Sequence, residues 1–84
     1  MHILVVYDIS EDRERGRIAE LCLDFGLQRI QESVFIGMLN KRLRNMITRE
    51  LKNKLPRGVF DVKVFQIDGS SEGRYIFSES RLPS

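Results

Sequence analysis

The sequence has few of the residues that tie a small chain together through covalent bonds or zinc. Of its 84 residues only one, Cys22, is a cysteine, and only one is a histidine. A single cysteine can form no internal disulfide and cannot by itself build a zinc site. We therefore expect a protein of a reducing compartment, the cytoplasm.

Long hydrophobic runs are also missing. No apolar segment approaches the ~20 residues of a membrane-spanning helix, and no basic and apolar leader opens the chain. We expect a protein that neither crosses a membrane nor is exported. Without internal repeats or low-complexity tracts, the length predicts one domain. A chain of this size buries roughly 60–65% of its unfolded surface, so a partner subunit would add to its stability.

What the sequence does contain is an uneven distribution of charge. The whole chain carries a formal charge of +2 at pH 7. Residues 41–57 hold seven bases against the single acid Glu50, a local charge of +6, whereas the remainder holds seven bases and eleven acids, or −4. The bases of this segment are Lys41, Arg42, Arg44, Arg49, Lys52, Lys54 and Arg57. Such a concentrated basic segment indicates a local anionic partner.

The apolar pattern predicts two helices between short strands. The segment "HILVVYD" is apolar on both faces, which is typical of a buried strand. A first helix is predicted from the N-cap Ser10 to the stop Gly26, and a second from the N-cap Asn40 to about Leu55. Further strands are predicted at "LQRIQESVFIGML", which bends near residues 31–33, at "FDVKVFQI" and at "RYIF".

The order of these elements is β-α-β-β-α-β followed by one more strand. It predicts the ferredoxin-like α+β fold, a four-stranded antiparallel sheet with two helices on one face. We predict this domain over residues 1–68. Residues 69–84 are predicted to form a hinge, a short C-terminal strand and a tail that packs on the partner subunit. Because the first and third strands are apolar on both faces, the uncovered sheet face predicts a two-fold homodimer.

One acid, Asp8, stands where the first strand ends. That strand is central in this topology, so Asp8 should lie beside the starts of the third and fourth strands, near Ser33 and Asp61. No histidine, cysteine or lysine adjoins it as a nucleophile–base pair, which disfavours a serine-type triad.

A lone carboxylate of this kind suits a hard cation such as Mg²⁺ or Mn²⁺, which needs only one or two protein carboxylates. If the dimer axis passes near the strand ends, two Asp8 carboxylates could share one ion. Asp8 is therefore a candidate metal ligand and catalytic residue for phosphodiester hydrolysis. Alternatively, it only terminates the strand or caps the next helix.

The basic face of the second helix also permits two interpretations. Charge on a solvated helix face is common, but the charge asymmetry of this chain favours phosphate binding. The sheet lacks the aromatic signature of RNA-recognition sheets, so we expect contact with the nucleic-acid backbone without strong sequence reading. The candidate nucleic-acid contacts are Arg13, Arg17, Lys41, Arg42, Arg49 and Lys52.

The stretch "LVVYDISEDRERGRIAELCLDFGLQRIQESVFIGML" closely resembles the small CRISPR-associated proteins that accompany the integrase in spacer acquisition. The matching elements are "YDI" with acids and arginines after it, and "G-L-x-R-I-Q-x-S-V-F-x-G" from Gly26 to Gly37. They span nearly half the chain in the right order and at the right spacing. The resemblance implies a ferredoxin-like homodimer with Asp8 as metal ligand.

Members of that family are described as metal-dependent nucleases for single-stranded RNA or duplex DNA, and as a non-catalytic bridge between integrase dimers. The resemblance therefore implies a role in CRISPR–Cas adaptation, with two hypotheses. The chain is a magnesium-dependent endonuclease (endoribonuclease or DNase), or it is a structural adaptor that binds DNA and an integrase subunit without cutting. A ferredoxin-like regulatory domain that binds a metabolite is a third hypothesis.

Overall fold

In the two longest core strands every second side chain is buried, and these side chains form the face of the sheet against which the helices pack. The computed structural model describes residues 1–67 and 73–82. Its elements are β1 (His2–Ile9), α1 (Asp12–Asp24), β2 (Gln28–Gln31), β3 (Val34–Met38), α2 (Lys41–Asn53), β4 (Phe60–Ile67) and β5 (Gly73–Arg81). The strands form one sheet in the order β2-β3-β1-β4-β5, with every neighbouring pair antiparallel. The ferredoxin-like α+β fold is thus confirmed, with β5 added beside β4.

One face of the sheet packs against both helices and forms the core. Alternate side chains of β1, from Ile3 to Ile9, are buried on this face, and β4 repeats the pattern from Phe60 onward. Cys22 of α1 is fully buried among them. Burial raises the pKa of the Cys22 thiol to about 12, so the thiol is neutral and serves as a packing residue.

The two helix starts differ in how well the sequence predicts them. Asn40 is confirmed as the N-cap of α2, because its side-chain oxygen accepts a hydrogen bond from the Leu43 N–H at 2.8 Å. The predicted cap of α1 is wrong: the N-cap is Glu11, whose side chain makes no capping bond. Ser10 instead donates both its N–H and its hydroxyl to the Val59 carbonyl, each at 3.2 Å. None of the described helices is long and apolar enough to cross a membrane.

The C-terminal strand is longer than the sequence predicts. A strand over residues 74–77 is expected, but β5 continues through Arg81 and pairs with β4 of its own chain. Residues 78–81 have little intrinsic strand preference, and they are ordered because residues 60–63 of β4 supply hydrogen-bond partners. The hinge predicted before this strand lies, apart from Gly73, outside the described residues. Packing of this segment on a partner subunit concerns the dimer and stays a prediction.

Neither of the two described helices packs on the other face of the sheet; we call it the open face. Partners in an antiparallel ladder point to the same side, so the register divides this face into two halves. Apart from His2, which lies between Met38 and Ile67, the apolar half contains Leu4, Ile36, Met38, Phe65, Ile67 and Tyr75. The polar half contains Asp8, Asp61, Lys63, Ser78 and Ser80. Val6 and Val34, which pair with each other beside Lys63, lie between the two halves. The uncovered apolar surface that the sequence predicts is therefore present, at the end of β1 opposite to Asp8.

Candidate metal and nucleic-acid site

The position of Asp8 agrees with the expectation from topology. Asp8 is exposed on β1 and is the direct ladder partner of Asp61 on β4. The adjacent Tyr7 N–H donates to the Ser33 carbonyl at 3.1 Å, which places the start of β3 at the same rim. Directly opposite residues in an antiparallel pair have Cβ atoms about 4.5–5.5 Å apart. The predicted neighbourhood of Asp8 is therefore confirmed.

Asp61 differs from Asp8 because a lysine side chain forms an ion pair with it. The Lys63 ammonium donates a hydrogen bond to the Asp61 carboxylate, and both side chains are about one-third exposed. This hydrogen bond raises the pKa of Lys63. Asp8 has no ion-pair partner within the described part of the chain. The sequence analysis missed Lys63, although its place two residues after Asp61 on a strand puts both on one face.

The donors at this rim fit a hard cation better than a zinc-type site. Within residues 1–67 and 73–82, no group of three or more His, Cys, Asp or Glu side chains converges on one point. Carboxylate oxygens are the ligands that Mg²⁺ prefers, and Mg²⁺ keeps several waters when one or two carboxylates hold it. The donor chemistry at Asp8 therefore suits the predicted ion, and the identity of that ion stays a prediction.

Two arginines that the sequence analysis missed lie on the helix side of this rim. Arg15 donates to the Ile9 carbonyl at 3.2 Å and pairs with a carboxylate of its own helix. The Arg29 guanidinium lies 4.9 Å from the centroid of the Phe35 ring. Both line a cavity of about 190 Å³, together with Tyr7, Asp12, Gly16 and Glu32. The hydrophobic pattern gives no signal for Arg29, because every residue of its strand is exposed.

Four of the six candidate nucleic-acid contacts share one side of α2. We call Lys41, Arg42, Arg49 and Lys52 the basic stripe; all four are exposed. Three of them line an open groove of about 720 Å³, together with Asn45 and Met46. The only acid of this helix, Glu50, pairs with Lys54 at 3.0 Å, outside the stripe. At 1.5 Å per residue the stripe extends roughly 16 Å along the helix axis.

The two candidate contacts on α1 are placed differently. Arg17 pairs with the buried carboxylate of Glu14 at 2.8 Å and donates to the Lys54 and Leu55 carbonyls at 3.2 and 3.5 Å. It thus ties α1 to the C-terminal end of α2, which is a structural role. Arg13 is exposed but does not line the groove beside the basic stripe. A role of either arginine in nucleic-acid binding stays a prediction.

Comparison with known proteins identifies the family. The family described as CRISPR associated protein Cas2 matches residues 1–74. A protein of Chloroflexus aurantiacus, named CRISPR-associated endoribonuclease Cas2 2, is 39% identical over 71 residues, which is 84% of each chain. The chain therefore belongs to the Cas2 family, as the resemblance of its N-terminal half predicts.

A solved structure and a second relative extend this comparison. The crystal structure of Streptococcus pyogenes Cas2 has a TM-score of 0.69 at 25% identity, and the match covers 81% of this chain and 87% of that one. A protein of Thermoproteus tenax, named CRISPR-associated endonuclease Cas1/endonuclease Cas2 fusion, is 36% identical over 87 residues. That match covers 99% of this chain and 30% of the fusion.

Proposed function

We propose that this protein acts in CRISPR–Cas adaptation as a homodimer that binds nucleic acid and hydrolyses phosphodiesters at Asp8. Membership of the Cas2 family supports the role in adaptation. The observation that carries the catalytic part is the position of Asp8, an exposed carboxylate without an ion-pair partner in the described residues, at the polar end of the open face. Such a group is free to bind a cation together with substrate phosphate.

In this proposal Asp8 holds Mg²⁺ or Mn²⁺. A divalent ion bound at a phosphodiester polarises the phosphoryl oxygen and lowers the pKa of bound water. The basic stripe, on the helix side of the sheet, would attract the phosphate backbone. Asp8 lies at the rim of the open face, where a flexible strand can reach it. The endoribonuclease names of relatives make single-stranded RNA the first substrate to test, with duplex DNA as the second.

The apolar half of the open face supports the homodimer. Phe65 and the 60%-exposed Tyr75 are in contact in a tilted arrangement, with ring centroids 4.5 Å apart, on a face that none of the described helices covers. Met38, on the same half, is 65% exposed. Contiguous apolar surface of this kind marks an interaction site, and a second copy of the chain offers a self-complementary partner.

A structural adaptor is the second candidate function. The basic stripe supports it, because backbone contacts from lysine and arginine bind nucleic acid without any chemistry. The Cas1/Cas2 fusion of Thermoproteus tenax supports an integrase subunit as the protein partner. In this alternative Asp8 terminates β1 and does not act on substrate.

The Asp8→Asn variant separates the two candidate functions. It keeps the size of the side chain but removes the charge that holds the cation, so metal-dependent cleavage should fall about 100-fold or more. Cleavage of labelled single-stranded RNA and duplex DNA is measured with Mg²⁺ and with EDTA. Asp24→Asn, which changes an exposed acid at the end of α1, is the matched control and should cleave normally. Undiminished cleavage by Asp8→Asn would refute the catalytic role, and a wild-type protein that binds DNA but does not cut would favour the adaptor.

A further inference from the structure

Asn45 lies in the middle of the groove beside the basic stripe, and the function proposed above assigns it no role. The groove is lined by Lys41, Arg42, Asn45, Met46 and Arg49. Asn45 follows Lys41 by four residues and precedes Arg49 by four, so it lies between them on one side of α2, about 6 Å from each along the helix axis. A ligand that contacts both cations therefore also meets Asn45.

The Asn45 amide is held in one orientation by Arg44. Its Oδ1 accepts hydrogen bonds from the Arg44 Nε at 3.2 Å and from the Arg44 Nη2 at 3.0 Å. The Arg44 guanidinium is itself fixed, because its Nη1 donates to the Oε1 of the buried Gln66 at 2.8 Å. The oxygen of Asn45 is thus occupied, and its NH₂ group projects away from Arg44. Among the residues that the structure describes, the Asn45 Nδ2 has no hydrogen-bond partner.

In this orientation the polar side chains of the groove present hydrogen-bond donors. Lysine and arginine have donors only, and Asn45 adds two uncharged N–H donors. Met46 contributes only a thioether sulfur, which is a weak acceptor. Base edges present donors as well as acceptors, whereas the oxygens of a phosphodiester are acceptors only. The groove therefore suits the phosphate backbone better than it suits base edges.

We propose that Asn45 contacts the nucleic-acid backbone: its N–H groups donate to a phosphate oxygen between the phosphates bound by Lys41 and Arg49, and Arg44 positions it for this contact. The proposal rests on the nucleic-acid binding proposed above and names a further residue of that surface. Side-chain amides are among the groups that bind phosphate oxygens and fix the register of a protein on a duplex. Because Asn45 is uncharged, its contact adds affinity without releasing a counterion.

The Asn45→Ala variant separates this contact from the charges of the stripe. Fluorescence anisotropy with a labelled DNA duplex gives the dissociation constant over a series of salt concentrations. The variant should bind about fivefold more weakly at every salt concentration, the effect of a lost hydrogen bond. The slope of log K against log[salt] should be unchanged because no charge is lost, whereas Arg49→Ala should reduce the magnitude of that slope by about 0.9.

Asn53→Ala is the matched control. It makes the same change at an exposed residue of α2 that does not line the groove, so the dissociation constant should change by less than about twofold. Equal losses in Asn53→Ala and Asn45→Ala would overturn the proposal, since any polar side chain of this helix would then have the same effect. Thermal melting verifies that every variant is folded.

Arg44→Lys tests whether Arg44 positions Asn45. Lysine keeps the charge but lacks the planar fork that reaches both Asn45 and Gln66. The variant should bind duplex several-fold more weakly with an unchanged slope, and Asn45→Ala should cause little further loss when it is added to Arg44→Lys. Wild-type affinity of Arg44→Lys, or losses that add in the double variant, would overturn the positioning role.

The same measurements distinguish this inference from the proposed function. A wild-type protein that does not bind the duplex would overturn both. Weak binding after charge reversal at Arg42, Arg49 and Lys52, together with unchanged affinity of Asn45→Ala, would overturn this inference alone. If Asn45→Ala weakens binding of polyglutamate but not of the duplex, the groove serves an acidic protein partner, and the inference is overturned in that way.

Discussion

Asn40 and Ser10 show how similar polar side chains act differently at two helix starts. Asn40 supplies a capping bond to the Leu43 N–H, which has no partner within α2. Ser10 lies one residue before the true N-cap of α1 and continues the contact of β1 with the segment before β4. The capping bond therefore stabilises α2 only.

Asn40→Ala should lower the free energy of unfolding by about 1 kcal/mol, the usual loss for an N-cap. Ser10→Ala is the matched change at the other helix and should cost less than about 0.5 kcal/mol, as an exposed side chain without a capping bond. Urea denaturation followed by circular dichroism measures both. Equal losses in the two variants would contradict the assignment of caps.

The sequence predicts the location of Asp8 well, because a carboxylate that ends a central apolar strand has few places to lie. Topology alone brings Asp61 beside it. The pairing of Lys63 with Asp61 and of Arg17 with Glu14 is not predictable in this way. Each of these ion pairs depends on the direction of a long side chain, and several neighbouring groups of opposite charge could be its partner.

At the scale of elements, α2 has a buried apolar side and an exposed basic side. Ile47 and Leu51 are fully buried against the sheet, while the basic stripe lies in solvent. Arg44 is directed elsewhere, because its guanidinium donates to the Gln66 side chain at 2.8 Å. The stripe is therefore the part of this basic helix that is available to an anionic partner.

Reversal of charge at Arg42, Arg49 and Lys52 to glutamate should weaken duplex DNA binding and reduce its salt dependence. Each phosphate contact contributes about 0.9 to the slope of log K against log[salt], so the loss of three contacts lowers the slope by about 2.7. Fluorescence anisotropy over a series of salt concentrations measures it. Reversal of Arg57 and Arg74, which are exposed bases outside the stripe, is the control. An unchanged slope in the stripe variant would exclude this surface as the contact.

The length of β5 is not predictable from its local sequence. Ser78, Glu79 and Ser80 resemble a loop by composition, yet they complete a regular ladder with β4. Strand preference depends on the neighbouring strand more than on the residue itself. The strands β1 and β4 are predictable because their apolar residues indicate a buried strand without reference to a neighbour.

At the scale of the whole molecule, the two faces of the sheet lead to the homodimer prediction. Phe65→Lys should convert the dimer to a monomer, because each interface would then bury two unpaired charges. A two-fold dimer contains Phe65 twice, once from each subunit. If each Phe65 contributes about 2 kcal/mol, the loss of both raises the dissociation constant about 1,000-fold. Analytical ultracentrifugation at micromolar concentration measures the association.

Leu23→Lys is the control for this prediction. Leu23 is 53% exposed on α1, away from the open face, so its replacement should leave the dimer intact. A wild-type protein that sediments as a monomer at micromolar concentration would disprove the homodimer. Dissociation by both variants would indicate that the open face is not the interface.

The two edges of the sheet are unequal. The β2 edge is four residues long, and its register with β3 shifts between Arg29 and Gln31, whereas β5 presents nine residues. A fibre that grows by adding strands needs a usable edge at both ends of every subunit, and short, irregular edges resist such pairing. If strands pair only through β5, two copies join through their β5 edges. Neither copy then has a second long edge free, so no third copy is added. The short, irregular β2 edge is therefore expected to disfavour open-ended strand addition.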